Sequence, residues 1–190
     1  MRPRDVVMEI DRALVPGDVL LCDASLASGW GSQYYHVKDA GRSFLAPRGL
    51  AGTGWAGGAA IGARMALAPS FRLVALAGDG SWGYALAELE TAVRLSKPIV
   101  YVILNNAGLG WIKLIHGSLT EASAYGDIDF AAVARAMGAS GVRTTDAEQL
   151  RRELELALRR PGPSLIDVVT NIEDTPVQRA ASPAVEGAYS

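Results

Sequence analysis

Gly78-Asp79-Gly80 and Asn105-Asn106 each close an apolar run, residues 73–77 and 99–104, and both runs are continuously hydrophobic, as strands buried on two faces are. Side by side in a parallel sheet, two such strands release Asp79 and Asn106 at the same carboxyl edge, where open α/β sheets hold their ligands. Asp79 offers a carboxylate oxygen, Asn106 an amide oxygen, and a main-chain carbonyl at Gly108 a third donor. That set suits Mg²⁺, which takes few protein ligands and leaves the rest of its octahedron to phosphate and water. Gly80 lets the main chain approach an anion, and a helix opening at Gly80-Ser81 points free N–H groups at phosphate. The chemistry implied is a divalent cation clamped on a diphosphate. A plain strand–turn–helix with glycine at its corner explains either tripeptide alone, but not their pairing.

The elements that must position these residues read as alternating helices and strands. Val6, Val7, Ile10 and Leu14 have helical spacing over residues 4–14, and Pro16-Gly17 turns that helix into a strand ending at Cys22. Residues 43–46 form a short strand and 55–67 a helix rich in Ala and Gly. Strand 73–77, helix 84–95 and strand 99–104 follow, with Lys97-Pro98 as the break. A helix over 129–137 ends at Gly138, and 141–144 is a strand. Thr145-x-x-Glu148 forms a capping box for a helix over 145–160, and 165–169 is the last strand. The fold class expected is α/β, a doubly wound parallel sheet of about six strands with helices on both faces. Residues 1–172 form the domain and 173–190 a mobile tail.

Composition narrows the function classes. At 190 residues, 49% hydrophobic and 20% charged, the chain suits one α/β domain that buries roughly 70% of its unfolded surface. A net charge of −2 with no basic stripe argues against nucleic acid, and no run is long enough to span a membrane. No apolar signal region follows Met1, and the lone Cys22 lies in a buried strand, so a cytoplasmic location is expected. Gly52-Thr-Gly-Trp-Ala-Gly57 is a literal G-x-G-x-x-G. It does not directly follow a strand, and no acid lies about 20 residues on other than Asp79, so a dinucleotide site is not expected.

GDG followed, one helix and one strand later, by NN resembles the thiamin-diphosphate motif. Residues 23–30 are similar to the first cofactor loop of acetolactate synthases, 49–62 to their Gly-rich loop, and 105–112 to their NN loop. Glu88-Leu89 and Thr91 stand where that family has E-L-x-T, and the resemblance runs from about residue 3 to 169. It implies thiamin diphosphate and Mg²⁺ as cofactors. It places Asp79, Asn106 and the Gly108 carbonyl on the metal. Ala24, Ser25, Leu26, Ala27, Thr53, Gly78, Gly80, Ser81, Leu109, Gly110 and Trp111 join them on the cofactor.

Two departures matter. Relatives carry a bulky apolar residue where this chain has Thr53, and that residue props the cofactor into its bent form. Thr either fills the space well enough, or its hydroxyl sits unpaired in a dry pocket and marks a weakened subunit. Ser25-Leu26-Ala27 replaces a usual Gly-Gln-His, which leaves diphosphate to backbone N–H groups and to the hydroxyls of Ser25 or Ser28. His36, placed on a helix, is structural, whereas His116 could approach substrate.

The same resemblance implies a partner. Full-length members place a pyrimidine-binding domain and a middle domain before this one, and the cofactor-protonating glutamate belongs to the former. The expectation is a diphosphate-binding subunit of a split enzyme, a heterodimer or heterotetramer with a separate pyrimidine-binding chain. Its reaction would be decarboxylation of a small 2-oxo acid such as pyruvate and transfer of the acyl-anion equivalent to a carbonyl acceptor. Three alternatives stay open: a simple decarboxylase subunit like that of sulfopyruvate decarboxylase, a non-catalytic subunit of the same fold, and a 2-oxo acid:ferredoxin oxidoreductase β subunit. The last usually carries several cluster cysteines, and this chain has one.

Overall fold

The apolar runs do become strands, and their alternation decides which helix covers which face. The structure, a computed structural model, describes residues 1–176. The order is α1 (Pro3–Ala13), β1 (Val19–Cys22), α2 (Leu26–Tyr34), β2 (Phe44–Leu45), α3 (Trp55–Ala66), β3 (Leu73–Gly78), α4 (Asp79–Ala85) and α5 (Glu88–Arg94). Then come β4 (Val100–Asn105), α6 (Gly110–His116), α7 (Phe130–Ala136), β5 (Ser140–Thr144), α8 (Ala147–Ala157) and β6 (Ser164–Val169). The six strands lie in the order β2-β1-β3-β4-β6-β5, every neighbouring pair parallel.

Successive strand residues point to opposite faces. Leu20, Cys22, Val74, Leu76, Val100 and Val102 pack under α1, α2 and α8, through Val6, Ile10, Trp30, Leu150 and Leu154. Val19, Leu21, Leu73, Ala75, Ile99 and Tyr101 pack under α3, α4, α5 and α7, through Ala60, Trp82, Leu89 and Phe130. The expected doubly wound sheet is therefore present, with helices on both faces. The chain leaves β1 for β2 on one side and returns to β3 on the other, so the carboxyl ends of β1 and β3 flank the switch point where such sheets open a crevice.

Several boundaries differ from expectation, each for a local reason. The helix expected over 84–95 starts earlier and is two pieces, α4 and α5. Leu86 and Ala87 stay right-handed, but Leu89 N–H bonds to Leu86 and Glu90 N–H to Ala87, so the helix tightens to i→i−3 pairing at the joint. The α8 cap is Asp146, not Thr145: its Oδ1 accepts the Gln149 N–H at 2.8 Å, while Thr144 Oγ1 accepts the Asp146 N–H at 3.0 Å. Asp caps better than Thr, and the expected box is not formed: the Gln149 side chain bonds Thr144 Oγ1 instead of the cap N–H. His36 lies beyond the end of α2, exposed and bonded to Asp11. Of the expected tail, residues 173–176 are packed: Gln33 donates to the Pro176 carbonyl, and Lys113 pairs with Glu173. Residues 177–190 lie outside the described residues. No helix among those described is long and apolar enough to cross a membrane.

Candidate functional site

Parallel pairing of β3 and β4 sets Gly78 opposite Leu104, so Asp79 and Asn106 emerge within a residue of one another. Asp79 ties the two strand tips together. Its Oδ2 accepts the N–H groups of Asn106 at 3.0 Å and Gly108 at 3.1 Å, and its Oδ1 accepts that of Gly80 at 2.7 Å. The residue is 6% exposed, and burial raises its carboxyl above the usual aspartate value while these N–H groups pull it back down. Asn106 Oδ1 is buried beside it with no hydrogen-bond partner among the described residues. A buried acceptor left open costs free energy unless something binds it, and a hard cation held jointly with Asp79 would do so. The donor set thus fits Mg²⁺. The neighbouring Asn105 plays another part: its Nδ2 donates to Asp167 at 3.0 Å and to the Ile128 carbonyl at 2.8 Å, anchoring the tip of β4.

Asp23, which follows β1 as Asp79 follows β3, was not foreseen. It is fully buried, and its carboxylate accepts the N–H groups of Ala24 at 2.6 Å and Ala56 at 3.4 Å. Burial raises its carboxyl, offset by the amides of Ala24, Ala56 and Gly54 and by the Ser81 hydroxyl. One buried carboxylate therefore joins the first loop, the amino end of α3 and the GDG turn. The sequence signal was available: an acid directly after a buried strand, repeated at Asp79. Arg48 was also missed; it reaches from the second loop to donate to Ser28 Oγ at 3.3 Å.

The other expected residues are spread over the loops of the same edge. Ala24 and Ala27 are buried, Ser25 is exposed, and Leu26 reaches across to Gly110, where an added Cβ would sit 2.8 Å from Leu26 Cδ1. Gly110 and Trp111 begin α6 rather than extending a loop, and Trp111 is exposed. Thr53 is exposed just before α3, so within this chain its hydroxyl faces no dry pocket. Ser81 Oγ accepts the Gly78 N–H at 3.1 Å, and its single hydrogen is shared between the Gly78 carbonyl at 3.0 Å and the Asp23 carboxylate. Gly80 is required by packing: a Cβ there would meet Leu109 Cδ2 at 2.6 Å and the Tyr125 ring at 3.0 Å. Gly108 is equally crowded, by Leu119 and Ile172. His116 ends α6, exposed.

A short antiparallel bridge of Gly108 to Ala124 holds this loop. Leu109 donates to the Ser123 carbonyl and Tyr125 to the Ala107 carbonyl, each at 2.8 Å. Tyr125, Ile128 and Tyr84 then wall a mainly apolar cavity of about 260 Å³ beside Asp79 and Gly80. Ser25, Ala51 and Ala107 adopt positive φ without being glycine, one in each of three loops at this edge. Such conformations persist where surrounding structure over-determines them, as at binding sites.

A six-stranded parallel sheet with helices on both faces, and a buried carboxylate and an open amide oxygen at the carboxyl ends of two neighbouring strands, define the class: a doubly wound α/β domain with a candidate ligand site at that edge. The family described as "Thiamine pyrophosphate enzyme, C-terminal TPP binding domain" matches residues 23–168, and the chain belongs to it. It is 34% identical over 172 residues to the acetolactate synthase large subunit of Parasynechococcus marenigrum (strain WH8102), covering 87% of this chain and 27% of that one. It is 32% identical over 177 residues to benzoylformate decarboxylase of Pseudomonas aeruginosa PAO1, covering 90% of this chain and 32% of that protein. Among solved structures, the thiamine diphosphate-dependent 4-hydroxybenzoylformate decarboxylase of Rhodococcus jostii RHA1 superposes with a TM-score of 0.81 at 26% identity, over 90% of this chain and 33% of that one. The chain spans about a third of the length of these relatives.

Proposed function

We propose that this chain is the diphosphate- and Mg²⁺-binding part of a thiamin-diphosphate enzyme that decarboxylates a small 2-oxo acid and passes the two-carbon or larger fragment to a carbonyl acceptor. The observation that carries the reading is the Asp79–Asn106 pair, one carboxylate and one unpartnered amide oxygen at adjacent strand tips. Asp79, Asn106 Oδ1 and the Gly108 carbonyl would hold the cation. Residues 25–27, at the amino end of α2, would offer main-chain N–H groups to the diphosphate, with the Ser25 hydroxyl and the Gly78–Ser81 turn beside them. Thr53 and residues 108–111 would face the reacting ring. Bound here, the cofactor supplies the carbanion-stabilising carbon that the protein lacks.

What the chain's own groups contribute is position. Asp23 holds the first loop, the start of α3 and the GDG turn in register, and Leu26 closes the gap between α2 and α6. Trp111 and Ile112 wall the approach. A second polypeptide, carrying the pyrimidine-binding glutamate, completes the site in this reading. In isothermal titration, the chain with that partner binds thiamin diphosphate only when Mg²⁺ is present; binding unaltered by chelator would overturn the proposal.

Simple decarboxylation is the second reading, favoured by the similarity to two aryl 2-oxo acid decarboxylases. Product analysis with pyruvate separates the two: a carboligase yields a C–C coupled product, a decarboxylase only aldehyde and CO₂. A non-catalytic subunit would leave the assembled activity intact when Asp79 is changed to Ala.

A further inference from the structure

The opposite edge of the sheet holds a second concavity that the cofactor reading does not use. It lies at the amino ends of β3 and β4, has a volume of about 200 Å³, and is lined by Arg64, Arg72, Arg159 and Arg160 with Phe71 and Leu158 among its apolar walls. No acidic residue lines it. Arg64 comes from the last turn of α3, and Arg159 and Arg160 from just beyond α8. Those helices cover opposite faces of the sheet, so the pocket bridges both layers.

The charges here do not balance. Arg64 is 6% exposed, and its guanidinium donates to the carbonyls of Leu67 at 2.9 Å, Ala68 at 2.6 Å and Phe71. Those carbonyls take three of its five N–H hydrogens but carry no net charge, and among the described residues it forms no ion pair. Burying an uncompensated cation is costly, and an anion is what relieves it. Asp18, beside the pocket, is engaged by Arg72 Nε at 2.9 Å and by its Nη2. Arg159 and Arg160 are exposed and likewise form no ion pair among the described residues. Arginines at helix carboxyl ends commonly cover free carbonyls, and that accounts for Arg64 and for the placement of Arg159. It does not account for two helix ends from opposite faces turning their guanidinium residues into one concavity with Phe71, itself 38% exposed, beside them.

We propose that this amino-edge pocket binds a small dianionic phosphate ester carried on a compact apolar body. Arg159 and Arg160 offer open guanidinium forks to phosphate oxygens, Arg64 and Arg72 add positive charge from behind, and Phe71, Pro69, Pro98 and Leu158 take the apolar part. The site stands apart from the cofactor edge and does not depend on the function proposed there. Phenyl phosphate, inorganic phosphate, benzoate and NaCl at matched ionic strength, titrated into the 190-residue chain and followed by ¹H–¹⁵N spectra, test it. Phenyl phosphate should give saturable shifts at residues 68–72 and 158–160, bind more tightly than phosphate or the singly charged benzoate, and lose about tenfold in affinity in Arg159→Gln/Arg160→Gln. That double variant alters exposed side chains, and an unchanged circular dichroism spectrum checks its fold. Shifts reproduced by NaCl, an affinity for benzoate equal to that for phenyl phosphate, an unaltered affinity in the double variant, or saturable shifts confined to residues 78–80 and 106–110 would each overturn the proposal.

Discussion

The carboxyl and amino edges of this one sheet are built on opposite terms. At the carboxyl edge Ser25, Ala51 and Ala107 hold positive φ, burial pushes Asp23 and Asp79 above the usual aspartate range, and Asn106 Oδ1 has no partner among the described residues. At the amino edge Asp18 is 1% exposed and saturated. It accepts the N–H groups of Val15 at 2.9 Å and Arg72 at 2.8 Å, and the Arg72 guanidinium, which also donates to the Ala13 carbonyl at 2.9 Å. Positive φ is not exclusive to one edge, since Ser96 shows it just before β4. The contrast lies in open valence. Strain and unspent acceptors gather at the carboxyl edge, where a ligand can repay them, whereas around Asp18 at the amino edge the acceptors are closed and cationic charge is what is left over.

The comparison breaks if the edges exchange roles under mutation. The largest effect expected is on binding: Asp79→Ala should weaken Mg²⁺-dependent cofactor affinity, read by calorimetry, by at least about 100-fold, beyond what outer-shell partners of a metal usually contribute. Asp18→Ala should do the reverse. It leaves Arg72 with its buried partner removed, so urea denaturation should report a loss of about 3–5 kcal/mol, with cofactor affinity kept wherever the fold persists. Equal effects of both variants on affinity would erase the distinction.

Asp23 sharpens it. Asp23→Asn retains an acceptor but loses the charge facing three loops, and a fall of about tenfold in cofactor affinity with little change in urea midpoint is expected, as for other outer-shell groups. Titration adds a sign. Asp23, Asp79 and Asp167 all have carboxyls raised by burial, so the folded state binds protons more tightly than the unfolded one. Their contribution to stability is full below the unfolded aspartate pKa, near pH 4, and is lost as pH rises through the raised folded values. Glu9, lowered by its bonds to Arg151 and by Arg12, acts in the opposite sense, and its contribution fades as pH falls. Denaturation of wild type against Asp79→Asn across pH 4 to 7 isolates one carboxyl. The wild type should lose relative stability as pH rises, and added Mg²⁺ should reverse that slope, because a cation favours the charged carboxylate.

The smallest effect concerns strain. Ser25 has φ 68° and ψ −142° and makes no side-chain cap to α2, so Ser25→Gly should raise stability by about 1 kcal/mol. A destabilised Ser25→Gly would mean that the hydroxyl, not the backbone, is what this position keeps.

The sequence alone determined the alternation of elements, the parallel sheet and the Asp79–Asn106 pair. These follow from hydrophobic period and from residues that end buried strands, and both are local. Tertiary structure decided the rest, because it depends on which strands become neighbours. Asp23 reads locally as one more acid after a strand, and only the placement of α3 and α4 against β1 makes it a junction of three loops. Gly80 reads as room for an anion, yet Leu109 and Tyr125 fill that side of it, brought there by the Gly108–Ala124 bridge. Four arginines scattered from position 64 to 160 carry no sequence pattern, and it took two helix ends on opposite faces of the sheet, with the start of β3 between them, to gather them. Spacing along the chain sets what each strand tip presents; distance through space, set by strand order, sets what it presents it to.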